Sequence, residues 1–182
     1  MSTLTLAQRV LAIHAALSEI AHAFGGALAL AYYAEPRATI DIDLNVFVPV
    51  ERFAEVAGPL HRLGAASDDP SVAALVNRDG QARVMWDSTP IDLFFAYDPF
   101  HDAAAAGRKI VPFGDETIPI LAAEHLMVCK VVFNRPKDWV DIDSMLSGDP
   151  DIDAPEVLRW VGRLAGDDDP RYNRIAFVLT RR

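Results

Sequence analysis

Two periods run through the hydrophobic positions of this chain. Leu6, Val10, Ile13, Leu17 and Ile20 recur every three or four residues after the capping-box pair Thr5 and Gln8, so a helix is expected over residues 5–20. Residues 39–48 alternate instead: Ile40, Ile42, Leu44, Val46 and Val48 fall on one side, and Asp41, Asp43 and Asn45 on the other. That period of two predicts a strand with one apolar face. Between them, "AHAF" reads as a short extended piece that runs into Gly25 and Gly26, then a helix rich in Ala and Leu, with "EPRAT" as a turn.

Downstream, the pattern predicts a helix from "ERFAEVAGPLHRLG" and a short one from "SVAALV". A hairpin is expected from "QARVMW" and "IDLFFAY" around the turn "DSTP", and a smaller one from "KIVPF" and "TIPI" around "GDE". From Leu121 onward the spacing is helical over residues 121–134, 137–146, 154–165 and 170–180, the last two opened by Asp153 and Asp169 as caps. The fold class is therefore α+β: a small mixed sheet flanked by helices, with a C-terminal helical part. Residues 1–120 form the expected core and residues 121–182 the helical part packed on it, as a single compact unit.

Composition narrows the partners. A formal charge of −9 gives no broad basic face for duplex DNA or anionic lipid. The single cysteine, Cys129, rules out an internal disulfide and suggests a reducing compartment. Arg9 and Glu19 interrupt the first apolar stretch, which reads against a signal peptide, and residues 23–34 are too short to span a bilayer. A cytoplasmic protein is expected. Trp86, Trp139, Trp160, Phe94 and Phe95 read as core, His22 as a packed histidine, and "GDDDP" at 166–170 as a solvated loop with a cap.

The candidate chemistry lies in "RATIDIDLNVFV" at residues 37–48. Asp41 and Asp43 are two apart on one strand, so their carboxylates share a face and repel. Either the face is merely solvated, or a divalent cation sits between them; magnesium accepts one or two carboxylates and keeps its remaining sites for water and phosphate oxygens. The triplet Asp-Ile-Asp recurs at 141–143, in a helix where neighbours two apart diverge, and at 151–153, in a loop that ends in a cap. Only the first copy holds two carboxylates together. Upstream, the Gly25–Gly26 turn into a helix offers backbone donors for a phosphate, or is simply a tight turn. Arg37 and Thr39 directly precede Asp41, and Arg37 is either a phosphate-holding fork or a surface charge. Asp92, in the apolar strand "PIDLFFAY", needs a cleft, a partner or a metal to offset its burial.

Taken together, "FGGALALAYYAEPRATIDIDLNV" resembles the signature of the nucleotidyltransferase-fold superfamily. Its Arg-x-Thr-x-Asp-Ile-Asp-Leu form is similar to the AbiEii-type nucleotidyltransferases associated with toxin–antitoxin systems, and to aminoglycoside and lincosamide nucleotidyltransferases. "KVVFNRPKDWVDIDSML" resembles the second AbiEii element, with Lys130, Arg135, Lys137, Asp138 and Asp141 at matching places. The resemblance covers residues 20–146. It implies the minimal nucleotidyltransferase fold, with Gly25 and Gly26 lining a nucleoside triphosphate and Lys130 near its phosphates. Arg37 and Thr39 would contribute to the nucleotide site. Asp41, Asp43 and Asp92 would be catalytic and would hold magnesium, two ions in all. The superfamily often has serine after the first glycine, where this chain has Gly26. The implied reaction moves a nucleoside monophosphate to a hydroxyl acceptor (a tRNA end, a protein or a small molecule such as an aminoglycoside), and the implied partner is an antitoxin. The alternative is a non-catalytic nucleotide-binding or protein-interaction module on the same fold.

Overall fold

The computed structural model describes residues 4–148 and 151–181. The elements in chain order are α1 (Leu6–Ala16), β1 (His22–Phe24), α2 (Gly26–Leu30), β2 (Ile42–Pro49), α3 (Phe53–Arg62), α4 (Pro70–Asp79), β3 (Gln81–Trp86) and β4 (Thr89–Ala96). They continue with α5 (Pro99–Gly107), β5 (Lys109–Phe113), β6 (Glu116–Ile120), α6 (Ala123–Phe133), α7 (Pro136–Gly148), α8 (Ala154–Ala165) and α9 (Pro170–Thr180). Contacts divide the chain into two units. The first takes the residues up to Leu28 together with Ala38–Leu121; the second takes Ala29–Arg37 and the residues from Ala122 onward.

The first unit holds the whole sheet, in the order β3-β4-β2-β1-β6-β5. β2 runs parallel to β4 and β1 parallel to β6; the other neighbours are antiparallel. The alternation along residues 42–48 does what period two requires. Ile42, Leu44, Val46 and Val48 are buried, and across the parallel pairing the first three lie beside Ile91, Leu93 and Phe95. Phe53, at the start of α3, rests on Phe95 with ring centroids 5.9 Å apart, so α3 covers this apolar face. From α1, Val10, Ile13 and Leu17 add to the same unit's core.

Three local differences from the expected elements have physical causes. β2 starts at Ile42 rather than residue 39, because the Thr39 hydroxyl accepts a hydrogen bond from Asp41 N at 3.2 Å and donates to Asp41 O at 3.3 Å. This local bonding competes with the strand ladder. The β3–β4 turn is Asp87–Ser88 alone, with Trp86 paired to Thr89, not the four residues 87–90. Asp87 adopts φ 52°, as tight two-residue hairpins demand. Pro90 then enters the strand opposite Met85, the first pair after the turn-closing one, where an antiparallel ladder needs no N–H. Finally, α5 appears where no helix was expected. Its run of alanines shows no apolar period, but Asp98 accepts from Phe100 N at 2.9 Å, and Pro99 opens the first turn.

The second unit is helical. Asp153 caps α8 through Glu156 N at 3.0 Å, and Asp169 caps α9 through Arg171 N at 2.8 Å. Asn134 ends α6 in the left-handed region and accepts from Trp139 Nε1 at 2.8 Å, which ties α6 to α7. Met127, Val131, Ile142, Met145, Val157, Val161 and Ile175 form this unit's core, with Trp139 and Trp160 also buried. Among the described residues, no helix is long and apolar enough to cross a membrane.

One buried cation braces the first unit. Arg9, only 1% exposed, lies 4.9 Å from the Trp86 ring centroid. It donates through Nη1 to Trp86 O at 2.8 Å and through Nη2 to Asp87 Oδ2 at 2.9 Å. The α1 helix thereby holds the hairpin turn whose length sets the β3–β4 register. Arg9→Ala strands the Trp86 carbonyl in the interior, and a loss of roughly 2–3 kcal/mol in urea unfolding is expected. Asp87→Asn, which keeps a residue type suited to φ 52° and can still accept from Arg9, is expected to cost less, about 1 kcal/mol.

Candidate active site

Sheet register brings the acids together. In the parallel pairing of β2 with β4, Asp43 stands opposite Asp92, and in the antiparallel pairing of β3 with β4, Arg83 stands opposite Asp92. Asp43, Asp92 and Arg83 therefore form one row across three strands, on the face opposite the apolar side chains. Asp41, two residues before Asp43 and just ahead of β2, extends the row along the strand direction.

Arg83 binds this row tightly. Its Nε donates to Asp92 Oδ1 at 2.7 Å and its Nη2 to Asp92 Oδ2 at 2.7 Å, a two-pronged pair. The same Nη2 lies 3.5 Å from Asp41 Oδ2. Hydrogen bonding to Asp92 pushes the guanidinium well above its ordinary value despite burial, and the charges of Asp92, Asp41 and Asp43 add to the rise. Arg83 and Asp92 also line an open cleft of about 270 Å³, together with Leu75, Gln81 and Phe94.

The glycine turn lies directly against the acids. Gly25 N donates to Asp43 O at 2.9 Å, and a β-carbon on Gly25 would come within 2.8 Å of Asn45 Nδ2. A β-carbon on Gly26 would overlap the Asp43 carboxylate, and Gly26 sits at φ 52°. A serine at 26 would therefore need the Asp43 carboxylate to move and would take a strained backbone. The α2 helix that follows is only five residues long, and the Gly25 N–H is already engaged. The turn's contribution here is close approach rather than a helix dipole.

Three carboxylates on one strand face, with no His or Cys among them, suit a hard divalent cation such as magnesium. Among the described residues, no three of His, Cys, Asp or Glu are gathered closely enough to hold a metal as they stand. Arg83 bridges Asp92 and Asp41 instead. The residue pattern does not single out Arg83. A two-residue turn at Asp87–Ser88 pairs position 83 with 92, which is what brings Arg83 to the acids.

The remaining expected residues lie in the second unit or at the strand entrance. Thr39 is engaged with the Asp41 backbone, as described above. Arg37 grips Asp141 with Nε to Oδ1 and Nη2 to Oδ2, both at 3.2 Å. Lys130, 5% exposed on α6, donates through Nζ to Asp141 Oδ2 at 2.6 Å. Arg37 and Lys130 therefore meet on one carboxylate. Burial pushes the Asp141 carboxyl up, but Lys130 and Arg37 outweigh it and hold it below its ordinary value. Arg135 forks onto the fully buried Asp138 at 2.7 and 3.0 Å. His22 is a packed residue: it meets Phe24 edge to face with ring centroids 6.0 Å apart, meets His14 at 3.0 Å, and burial pushes its imidazole down.

Residues 9–180 match the family model described as nucleotidyl transferase AbiEii toxin, type IV toxin–antitoxin system. No curated protein matches the chain by sequence. Among solved structures, the chain resembles the antibiotic-resistance factor ANT(2'')-Ia in solution, at TM-score 0.62 and 17% identity over 97% of each chain. A crystal structure of ANT(2'')-Ia with adenylyl-2''-tobramycin gives 0.61 and 17%, over 88% of this chain and 97% of that one. An antigenic nucleotidyltransferase-like protein from Paracoccidioides brasiliensis gives 0.51 and 15%, over 95% and 85%. At these identities the likeness establishes the nucleotidyltransferase fold.

Two outcomes are expected from this geometry. Gly26→Ser forces the Asp43 carboxylate aside, so calorimetry with Mn²⁺ should show at least roughly tenfold weaker binding, the size of effect seen when a ligand loses its positioning neighbours. Asp141→Asn leaves Lys130 buried without its counter-charge and should cost about 3 kcal/mol near neutral pH. A carboxylate held low in the folded state contributes stability above its unfolded pKa of about 3.9 and loses it as pH falls through the folded value. The difference in melting temperature between the wild-type protein and Asp141→Asn should therefore shrink below about pH 4.

Proposed function

As the chain belongs to the AbiEii nucleotidyltransferase family, we propose that it uses Asp41, Asp43 and Asp92 to transfer a nucleoside monophosphate from a nucleoside triphosphate to a hydroxyl acceptor. The observation that carries this reading is the parallel register of Asp43 with Asp92 on the polar face of the sheet, beside the Gly25–Gly26 turn. Three mutually repelling acids on one sheet face are costly unless positive charge meets them.

The reaction is an in-line displacement at the α-phosphorus. The acceptor oxygen forms the new P–O bond while the bond to pyrophosphate breaks, and the acceptor proton passes to Asp92. Asp41 and Asp43 would hold magnesium, two ions with Asp92's help, and the metal would supply positive charge for the α-phosphate and the departing pyrophosphate. Gly25 and Gly26 would meet the triphosphate with backbone alone, and the missing side chain at 26 leaves room for the Asp43 carboxylate. Arg37, Thr39 and Lys130 are the further nucleotide-binding candidates; Arg37 and Lys130 hold their positive charges side by side on Asp141.

The acceptor reading favours a compact hydroxylated molecule. A net charge of −9 disfavours a large polyanion, and the ANT(2'')-Ia neighbour was solved with an adenylylated tobramycin. The family description supports an antitoxin as partner, and nucleotide use with a lone cysteine supports a cytoplasmic location.

Incubation with each labelled NTP, magnesium and cell extract should label one fraction and release pyrophosphate. Asp41→Asn and Asp43→Asn should abolish metal-dependent NTP binding. Asp92→Asn should cut pyrophosphate release by about 10²–10⁴-fold, the range of a general base. Wild-type release in all three variants, with intact folds, overturns the assignment.

A further inference from the structure

Arg83 has no role in the reaction as written, yet it makes the strongest contacts in the acid row. We infer that Arg83 is an exchangeable counter-ion: it holds Asp92 in the metal-free protein and must release that carboxylate before a divalent cation can use it. The inference rests on the proposed metal-holding role of the acids.

Four observations support it. Both Asp92 oxygens are taken by the guanidinium at 2.7 Å, so the oxygens a cation would use are already occupied by donors. The second acid, Asp41, is touched by the same Nη2 at 3.5 Å, so one group spans two of the three carboxylates. Arg83 lies on β3, an edge strand of the sheet, and its side chain is 54% exposed. The cleft beside it, about 270 Å³ and open to solvent, gives the guanidinium space to swing into without unpacking the core. A guanidinium and a divalent cation cannot share the Asp92 oxygens, since both charge and space conflict.

Exchange has a thermodynamic consequence. Part of the metal's binding free energy is used to break the Arg83–Asp92 pair, so the pair sets the cation concentration at which the site fills. Like-charge repulsion within the acid row would destabilise the metal-free sheet, and Arg83 relieves it. Arg83 acts through Asp92 and is a positioning residue.

Calorimetric titration with Mn²⁺ on the whole chain tests this, using wild type, Arg83→Gln, Asp92→Asn and the double variant. Arg83→Gln should bind Mn²⁺ about tenfold more tightly than wild type, equivalent to about 1.4 kcal/mol, while its metal-free melting temperature falls. In the Asp92→Asn background the same Arg83→Gln change should alter affinity less than about twofold, because the carboxylate through which it acts is gone. Arg83→Lys keeps the charge but loses the two-pronged grip, and should fall between wild type and Arg83→Gln. Equal or weaker binding by Arg83→Gln overturns the inference. So does a tightening that persists undiminished without Asp92, which would mark simple long-range repulsion. If neither wild type nor Arg83→Gln binds Mn²⁺, the metal-holding role itself falls; if wild type binds and only the exchange pattern fails, that role stands alone.

Discussion

Period-two alternation in two parallel strands couples the core of the first unit to its candidate chemistry. In β2 and β4, Ile42, Leu44 and Val46 meet Ile91, Leu93 and Phe95 on one face, and Asp43 meets Asp92 on the other. A slip of one residue would turn the acids inward and the isoleucines outward. Burying those six apolar side chains therefore puts the acids on the opposite face, and the observed register sets Asp43 beside Asp92 there. The acids are held together by hydrophobic packing that they do not themselves take part in.

The repulsion so created is met by two devices. The glycine turn brings neutral backbone against Asp43, with Gly26 leaving its carboxylate room that any side chain would remove. Arg83 supplies positive charge from the neighbouring strand. Its own placement depends on the two-residue turn at Asp87–Ser88, and that turn is braced from α1 by buried Arg9. A single arginine in the first helix thus stabilises the register that sets another arginine beside Asp92.

Within the second unit, charge is handled by burial rather than exposure. Asp141 is sandwiched between the partly exposed Arg37 and the buried Lys130, and Asp138 is capped by Arg135. Each buried acid has a full hydrogen-bonding partner, as low-dielectric surroundings require. The Lys…Arg-x-Lys-Asp-x-x-Asp element that carries half of the family resemblance is, in its local geometry, a set of ion pairs tying α6 to α7 and to Arg37.

Much of this was legible in the residues alone. Local patterns determined the capped helices and the apolar face of residues 42–48, since side-chain periodicity is a short-range property. The family resemblance rests on equally local motifs. The edges of elements were less legible: the Thr39 side-chain bonds shorten β2, and the alanine-rich α5 has no period to reveal it. What only the tertiary structure decided was pairing. Nothing in "PIDLFFAY" says that Asp92 lies beside Asp43, or that Arg83 would grip it, because strand order and register arise from contacts between residues dozens of positions apart. Equally, Lys130 looks like an ordinary helix charge until folding buries it against Asp141, eleven residues away and on another helix. Periodicity tells which face a side chain takes; only packing tells what it meets there.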